Sequence, residues 1–391
     1  MEDVVILSAA RTPIGAYLGA FKDVPAPKLG AAAIAEALKR AGLDPKLVDE
    51  CLMGCVLPAG QGQAPARQAA IYAGLPNTVR CTTVNKVCGS GMKTVMLAAQ
   101  AIQSGDAEFI VAGGMENMSR VPFYLDKARE GYRLGNGKLI DGLIGDGLWD
   151  VYGDQHMGNC AELCSRDKKI SRAEQDAFAR QSYERALAAQ KSGLFNAEMV
   201  AVTVPGKTPV TVSADEEPGK AKLDRFADLK PAFEKEGTVT AANASSLNDG
   251  AAALVLASAS AAKRLGLKPI ARLVAQASHA QAPEWFTTAP IGATEKLLKR
   301  AGLTAKDIDL FEINEAFSVV ALACMQGLEI DDKRVNTRGG AVALGHPIGA
   351  SGARILTTLI HALHHDKKKR GVASICIGGG EATAVLIEAM G

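Results

Sequence analysis

Apolar positions in residues 37–54, ALKRAGLDPKLVDECLMG, fall first at helical spacing. They stop at Gly42, cross a polar turn and resume as a short apolar run. That order predicts an amphipathic helix closed by glycine, a turn and a strand. Residues 297–314, LLKRAGLTAKDIDLFEIN, repeat it, and Lys39-Arg40-Ala41-Gly42-Leu43 recurs unchanged as Lys299-Arg300-Ala301-Gly302-Leu303. A second pair follows in the same order. Ser90-Gly91 opens a helical stretch from Met92 to Gln103, and Ser351-Gly352 opens one from Ala353 to Leu363. Each leads through a charged turn into a strand ending in glycines, Phe109 to Gly114 and Ala373 to Gly380. Two matched pairs in one order read as a duplicated β-α unit.

The pattern divides the chain into three parts. Residues 1–118 form an N-terminal core half, completed by 248–268, and residues 269–391 form a C-terminal core half. Residues 119–247 are an insertion expected to cover the site. It holds a Gly/Asp-rich stretch from Gly142 to Gly158, a helix from Ser171 to Ser192 and a Pro/Gly/Lys/Glu-rich segment from Pro205 to Glu236. Ser171 and Glu174 have the spacing of a capping box. Asn243 to Gly250 then turns back into Ala251 to Leu256, a buried strand.

Composition narrows the function classes. Forty-four Lys+Arg against 42 Asp+Glu leave no basic surface for nucleic acid, and 48% hydrophobic residues suffice for a sizeable core. Cys51-x3-Cys55 has no histidine nearby and Cys160-x3-Cys164 only His156, so the eight scattered cysteines predict neither a zinc site nor a disulfide framework. A reduced, cytoplasmic chain is expected. No apolar run approaches the roughly 18 residues of a membrane span. Neither a secretory leader nor a peroxisomal address is expected.

Three groups carry candidate chemistry. Cys88 lies in Asn85-Lys86-Val87-Cys88-Gly89-Ser90-Gly91, His346 in Gly345-His346-Pro347-Ile348-Gly349, and Cys376 in Cys376-Ile377-Gly378-Gly379-Gly380. Glycines after Cys88 allow close backbone approach, and a helix starting there offers free N–H groups that favour a thiolate. His346 is a candidate base and Cys376 a second acid–base thiol. Cys88 and Ser351-Gly352 lie on corresponding turns, so a pseudo-twofold arrangement would bring His346 near Cys88.

These motifs, with Ser8-Ala9-Ala10-Arg11-Thr12-Pro13-Ile14-Gly15 and Asn314-Glu315-Ala316-Phe317, resemble the thiolases, of the acetoacetyl-CoA type, essentially end to end. The resemblance implies an α/β thiolase fold: a duplicated, five-layered α-β-α-β-α core with an inserted loop domain. It implies Claisen condensation of two acetyl-CoA to acetoacetyl-CoA and CoA, by ping-pong through an acetyl-cysteine. Cys88 resembles the nucleophile, His346 the base that later binds the thioester oxygen, and Cys376 the thiol that deprotonates the second acetyl group. Asn314 resembles the residue holding a water in one oxyanion hole. The N–H groups of Cys88 and Gly378 resemble the other hole.

The same resemblance places coenzyme A contacts at Leu148, His156, Met157, Ala232, Phe233, Ala241, Ser245, Leu247, Ala316 and Phe317. Coenzyme A is substrate and product, and no other cofactor is implied. The family's arginine at the nucleotide has no clean counterpart; Lys220, Lys222 and Arg225 are the candidates. No tyrosine follows Tyr183, so the potassium site of some relatives is not expected, and no metal is. Family members pair edge strands between subunits, and Arg120 to Leu139 resembles the segment joining dimers into a homotetramer. Trp285-Phe286 and Phe317 are expected to limit acyl length. A degradative 3-ketoacyl-CoA thiolase of broader range is the alternative enzyme, and an acyl-CoA- or lipid-binding relative the non-enzyme alternative. A ketoacyl-ACP synthase is disfavoured by Cys376 in its glycine-rich motif.

Overall fold

The computed structural model describes residues 2–391. The N-terminal half supplies β1 (Val4–Arg11), β2 (Glu50–Gly54), β3 (Arg80–Val84), β4 (Phe109–Asn117) and β5 (Asn248–Ser258). The C-terminal half supplies β6 (Ala271–Ala280), β7 (Leu310–Ile313), β8 (Arg370–Ile377) and β9 (Glu381–Ala389). Their order is β7-β8-β9-β6-β1-β5-β4-β2-β3. From the middle outward the halves match. β1-β5-β4 and β6-β9-β8 are antiparallel steps, and β4-β2 and β8-β7 are parallel. The repeated sequence is thus a repeated topology. The half-sheets are not separate, because β1 and β6 pair antiparallel from Val4↔Leu273 to Ile6↔Ala271 and join them in one path.

The helices are α1 (Ala26–Ala41), α2 (Pro65–Tyr72), α3 (Ser90–Ser104), α4 (Met157–Lys168), α5 (Arg172–Lys191), α6 (Ala289–Ala301), α7 (Ser318–Leu328) and α8 (Ser351–His365). The matched α1 and α6 end alike. Gly42 and Gly302 adopt φ of 63° and 66°, and each N–H turns back to the last helical carbonyls.

Burial explains the layers. Along β1, Val5 and Leu7 face one cluster with α1 and α2, while Val4 and Ile6 face a second with α3 and α8. A third cluster packs α6 and α7 on the outer face of β6 to β9. The order is helix, sheet, paired helices, sheet, helix, as the resemblance implies.

The central helices touch through glycine. A Cβ on Gly91 would lie 2.9 Å from the Ala353 nitrogen, and one on Gly352 would fall on the Met92 backbone. The Cys88 and His346 turns preceding these helices therefore lie together. Both helices start at their serines, two residues earlier than the apolar pattern predicts. β4 runs on to Asn117, past Gly113 and Gly114, because both glycines pair with β5. A Cβ on Gly114 would collide with the Gly349 carbonyl, so this glycine marks a close approach inside the strand.

The insertion carries α4 and α5, and α5 starts at the Ser171/Glu174 capping box. Buried Arg11, at the end of β1, ties the insertion to the core. Its Nε donates to Glu198 at 2.5 Å, and its Nη1 and Nη2 donate to the Asp215 carboxylate at 2.7 and 3.0 Å.

Candidate active site

A cavity of about 300 Å³ opens where the halves and the insertion meet. Cys88, His346 and Gly378 lie on its wall with Leu148, His156, Met157, Phe233, Ser245, Leu247, Ala316 and Phe317. Local chain geometry sets Cys88. Val87 takes a φ of 46°, and Ser90 Oγ accepts the Lys86 N–H at 2.8 Å while donating to the Val87 carbonyl at 2.6 Å. Lys86 pairs with Glu381, which ties this turn to the glycine turn after β8.

The sulfur sits just before α3, where the helix N-terminus favours a thiolate. Burial opposes that and wins, pushing the thiol up to about 11, although the N–H groups of Gly378 and Cys88 itself pull the other way. The resting group is a thiol that needs a base.

His346 stands on the same cavity wall. Ser351 Oγ lies 2.6 Å from Nδ1 and donates its own proton to the Pro347 carbonyl at 3.0 Å. With that proton on the carbonyl, the Oγ lone pairs accept from Nδ1–H, the tautomer in which Nε2 is free to take a proton. Nε2 is buried and has no protein partner. Burial, and then the charge of Arg354, hold the imidazole down at about 3, so it rests neutral. Asn248 Oδ1 accepts the His346 N–H at 2.8 Å and fixes the loop.

Cys376, at the end of β8, is wholly buried and does not form part of the open wall. Burial first, then the facing Cys88 and Cys324, raise its thiol well above the usual range. It too rests protonated. Gly379 and Gly380 follow with φ of 90° and 82°, which turn the chain back sharply. Asn314 is also buried behind the wall. Its backbone N–H bonds to Ser374, while Nδ2 and Oδ1 have no protein partner. A buried amide with both atoms free is suited to a water or a substrate oxygen.

The remaining contacts divide. His156 caps α4 by accepting the Gly158 N–H at Nδ1, 3.1 Å away, and stacks on Phe233 with centroids 4.8 Å apart. A Cβ on Gly158 would strike the Phe233 ring, so glycine permits that stack. Ser245 Oγ donates to the Ala316 carbonyl at 2.9 Å. Ala232 and Ala241 are exposed and off the cavity wall. Lys220 and Arg225 are also off it, paired with Glu216 and Asp228. Phe286 lines the cavity, but its neighbour Trp285 faces a separate surface depression with Asp167 and Lys168. Thr288 is the N-cap residue of α6 one turn later, accepting the Gln281 amide at 2.8 Å and donating to the Trp285 carbonyl at 3.2 Å.

Sequence reasoning missed Tyr17, Met118, Asp141, Leu143, Ile144 and Ile348 on the wall, and Glu116 behind it. Ile348 could have been found, because it shares a loop with His346. Glu116 had a signal too, as a carboxylate ending an otherwise apolar strand. Tyr17 had none. Among the described residues, no group of three or more His, Cys, Asp or Glu could hold a metal ion, and no helix is long and apolar enough to cross a membrane.

Comparison with known proteins gives the same picture. The thiolase N-terminal domain matches residues 4–260 and the thiolase C-terminal domain residues 267–389. Acetyl-CoA acetyltransferase 1 of Arabidopsis thaliana is 54% identical over 100% of this chain and 95% of its own length. A mitochondrial acetyl-CoA acetyltransferase of Bos taurus is 52% identical over 99% and 92%. The crystal structure of Acat5 thiolase from Ascaris suum in complex with coenzyme A superposes with a TM-score of 0.95, at 47% identity and full coverage of both chains. With both domains matched in order along one duplicated core, this chain belongs to the thiolase family.

Proposed function

We propose that this chain is an acetyl-CoA C-acetyltransferase, condensing two acetyl-CoA to acetoacetyl-CoA and CoA and catalysing the reverse thiolysis. One observation carries the reading: a cavity whose wall combines the Cys88 thiol, the Gly378 N–H and His346, with the imidazole Nε2 unpartnered.

Cys88 gives its proton to His346 Nε2 as the sulfur attacks the first thioester carbonyl. The Cys88 and Gly378 N–H groups take the oxyanion; one such donor is worth about 3 kcal/mol. The bond to the CoA sulfur then breaks. Cys376 rests protonated, so it acts first as an acid and protonates the departing thiolate. This leaves acetyl-Cys88, imidazolium and the Cys376 thiolate. That thiolate takes a proton from the methyl of the second acetyl-CoA. His346 and an Asn314-held water stabilise the enolate oxygen, and the carbon attacks acetyl-Cys88. Cys88 leaves and recovers its proton from His346, which closes the cycle without any other cofactor. The apolar wall from Leu148 to Phe317 suits a pantetheine arm.

Incubation with acetyl-CoA should leave one acetyl group on the peptide containing Cys88, read by mass spectrometry. A label on Cys376 with Cys88 free would reverse the roles.

The assembly is proposed as a homotetramer, a dimer of dimers in the cytoplasm. The hairpin of Phe123–Leu125 and Leu139–Asp141 leaves Phe123, Leu125, Leu134 and Leu139 exposed. An apolar tip of that kind favours cover by another subunit. Eight free thiols suit a reducing compartment. Light scattering at micromolar concentration should give a tetramer; a dimer alone would remove this part of the reading.

A further inference from the structure

Glu116 lies at the end of β4, wholly buried, and the acyl-transfer steps above do not use it. Its Oε2 accepts the Val56 N–H and the Gly349 N–H, each at 2.9 Å. Its Oε1 accepts the Leu57 N–H at 3.3 Å and faces the Cys55 thiol at 3.6 Å. These donors come from two separate segments. Val56 and Leu57 follow β2, whereas Gly349 ends the His346-Pro347-Ile348-Gly349 loop. Leu57 and Ile348 then pack with Met118 and Leu143 in one small cluster beside the cavity.

Gly349 is fitted to the carboxylate, since a Cβ there would lie 2.6 Å from Oε2. A buried carboxylate without a cation is costly to keep. Burial holds this one up at about 7, and the donated N–H groups partly offset that cost. An apolar residue would fill the space, but it would leave three backbone donors unpaired. Only an acceptor-rich group can clasp both segments at once.

We infer that Glu116 is the positioning residue that clasps the His346 loop to the segment after β2, fixing the imidazole relative to the Cys88 sulfur during acyl transfer. The inference rests on the acyl-transfer reading of Cys88. Glu116 touches neither substrate nor reacting atom. It acts through the Gly349 N–H and the adjoining Ile348 on the cavity wall.

Two variants test it. Glu116→Gln keeps the shape but sets an NH₂ group against backbone donors. Glu116→Asp keeps the charge but falls one methylene short of joining both segments. In each, kcat for acetyl transfer to Cys88 should fall by at least about fivefold, while KM for acetyl-CoA stays within about threefold. Alkylation of Cys88 by iodoacetamide should slow in step with kcat, because it too needs His346 to take the thiol proton. In the Gln variant the loss of a negative charge that raises the Cys88 pKa works against this, so the Asp variant is the cleaner arm. Cys376 and His346 are the other titratable groups facing Cys88, and only the placement of His346 is expected to shift. General loosening would instead raise KM as kcat falls. If the Gln variant does not fold, the Asp variant decides. A smaller fall in kcat, one matched by a rise in KM, or unchanged alkylation in the Asp variant overturns the clasp. If the parent enzyme itself leaves no acetyl on Cys88, the acyl-transfer reading fails instead.

Discussion

Ser90 and Ser351 begin the two central helices at matching points of the duplicated core, and each closes a hydrogen-bond pair on the turn before it. Ser90 accepts from the Lys86 backbone and donates to the Val87 carbonyl. Ser351 donates to the Pro347 carbonyl but takes an imidazole at its other site. In one half the serine only shapes the turn that presents Cys88. In the other, the same device holds the imidazole of His346. The strands show the same divergence. The parallel pairings Glu50↔Ile110 and Leu310↔Gly371 put Met115 and Cys376 at equivalent positions. Met115 packs in the outer core, whereas Cys376 stands within electrostatic reach of Cys88. Duplication thus supplied one frame twice, and few positions separate the half that carries Cys88 from the half that carries His346 and Cys376.

Removing the C-terminal thiol divides those roles most sharply. Cys376→Ala should still accept an acetyl group at Cys88, seen by mass spectrometry, though more slowly for want of the acid that protonates the departing CoA thiolate. It should lose exchange of deuterium into the methyl of acetyl-CoA by about 10²–10⁴-fold, the usual worth of a positioned acid–base group. The alanine leaves a small buried void near Cys324, so melting temperature is the control. Normal exchange in this variant would mean that another base serves, and the two halves would no longer divide the chemistry between them.

The sequence foretold this division unevenly. The repeat was legible because helix, glycine stop and strand each leave a local signature, as Gly42 and Gly302 show. That Cys88 and His346 would meet at one cavity was legible because their turns match in the repeat, and the glycine-rich motif marked Cys376 beside them. The cavity lining was less so. Leu148, Met157 and Phe233 were found through resemblance, whereas Tyr17 and Ile144 reach the wall only through tertiary packing that no spacing encodes. Ala232 and Ala241 were expected at the substrate and lie exposed outside the cavity, because the insertion bends there through a turn in which the Ala232 N–H bonds to Val239. The thiolate expected from the helix start was also overridden. A dipole effect is worth about 0.3–1 kcal/mol in exposed settings, and burial of the sulfur outweighs it.

The smallest expected effect concerns the walls rather than the reacting groups. The insertion and the N-terminal half line much of the cavity with aliphatic side chains, among them Met118, Leu143 and Ile144. Phe286 and Phe317 of the C-terminal half face them and join Phe233 of the insertion in an aromatic group. Phe286 and Phe317 meet edge-on with centroids 6.4 Å apart, and Phe317 meets Phe233 at 6.2 Å. Aliphatic walls yield by changing rotamer, while interlocked rings resist, so the aromatic group is expected to limit the acyl chain admitted. Each extra buried methylene favours binding by about 0.8 kcal/mol, and a preference for four carbons requires exclusion to exceed that. Acetoacetyl-CoA should exceed 3-ketohexanoyl-CoA in kcat/KM by at least about tenfold, or 1.4 kcal/mol of transition-state binding. Phe286→Ala opens the ring contact without touching Cys88, His346 or Cys376 and should narrow that gap. Equal or faster thiolysis of the six-carbon substrate by the unmodified protein would make the aromatic side mere packing and the enzyme a broad-range degradative thiolase.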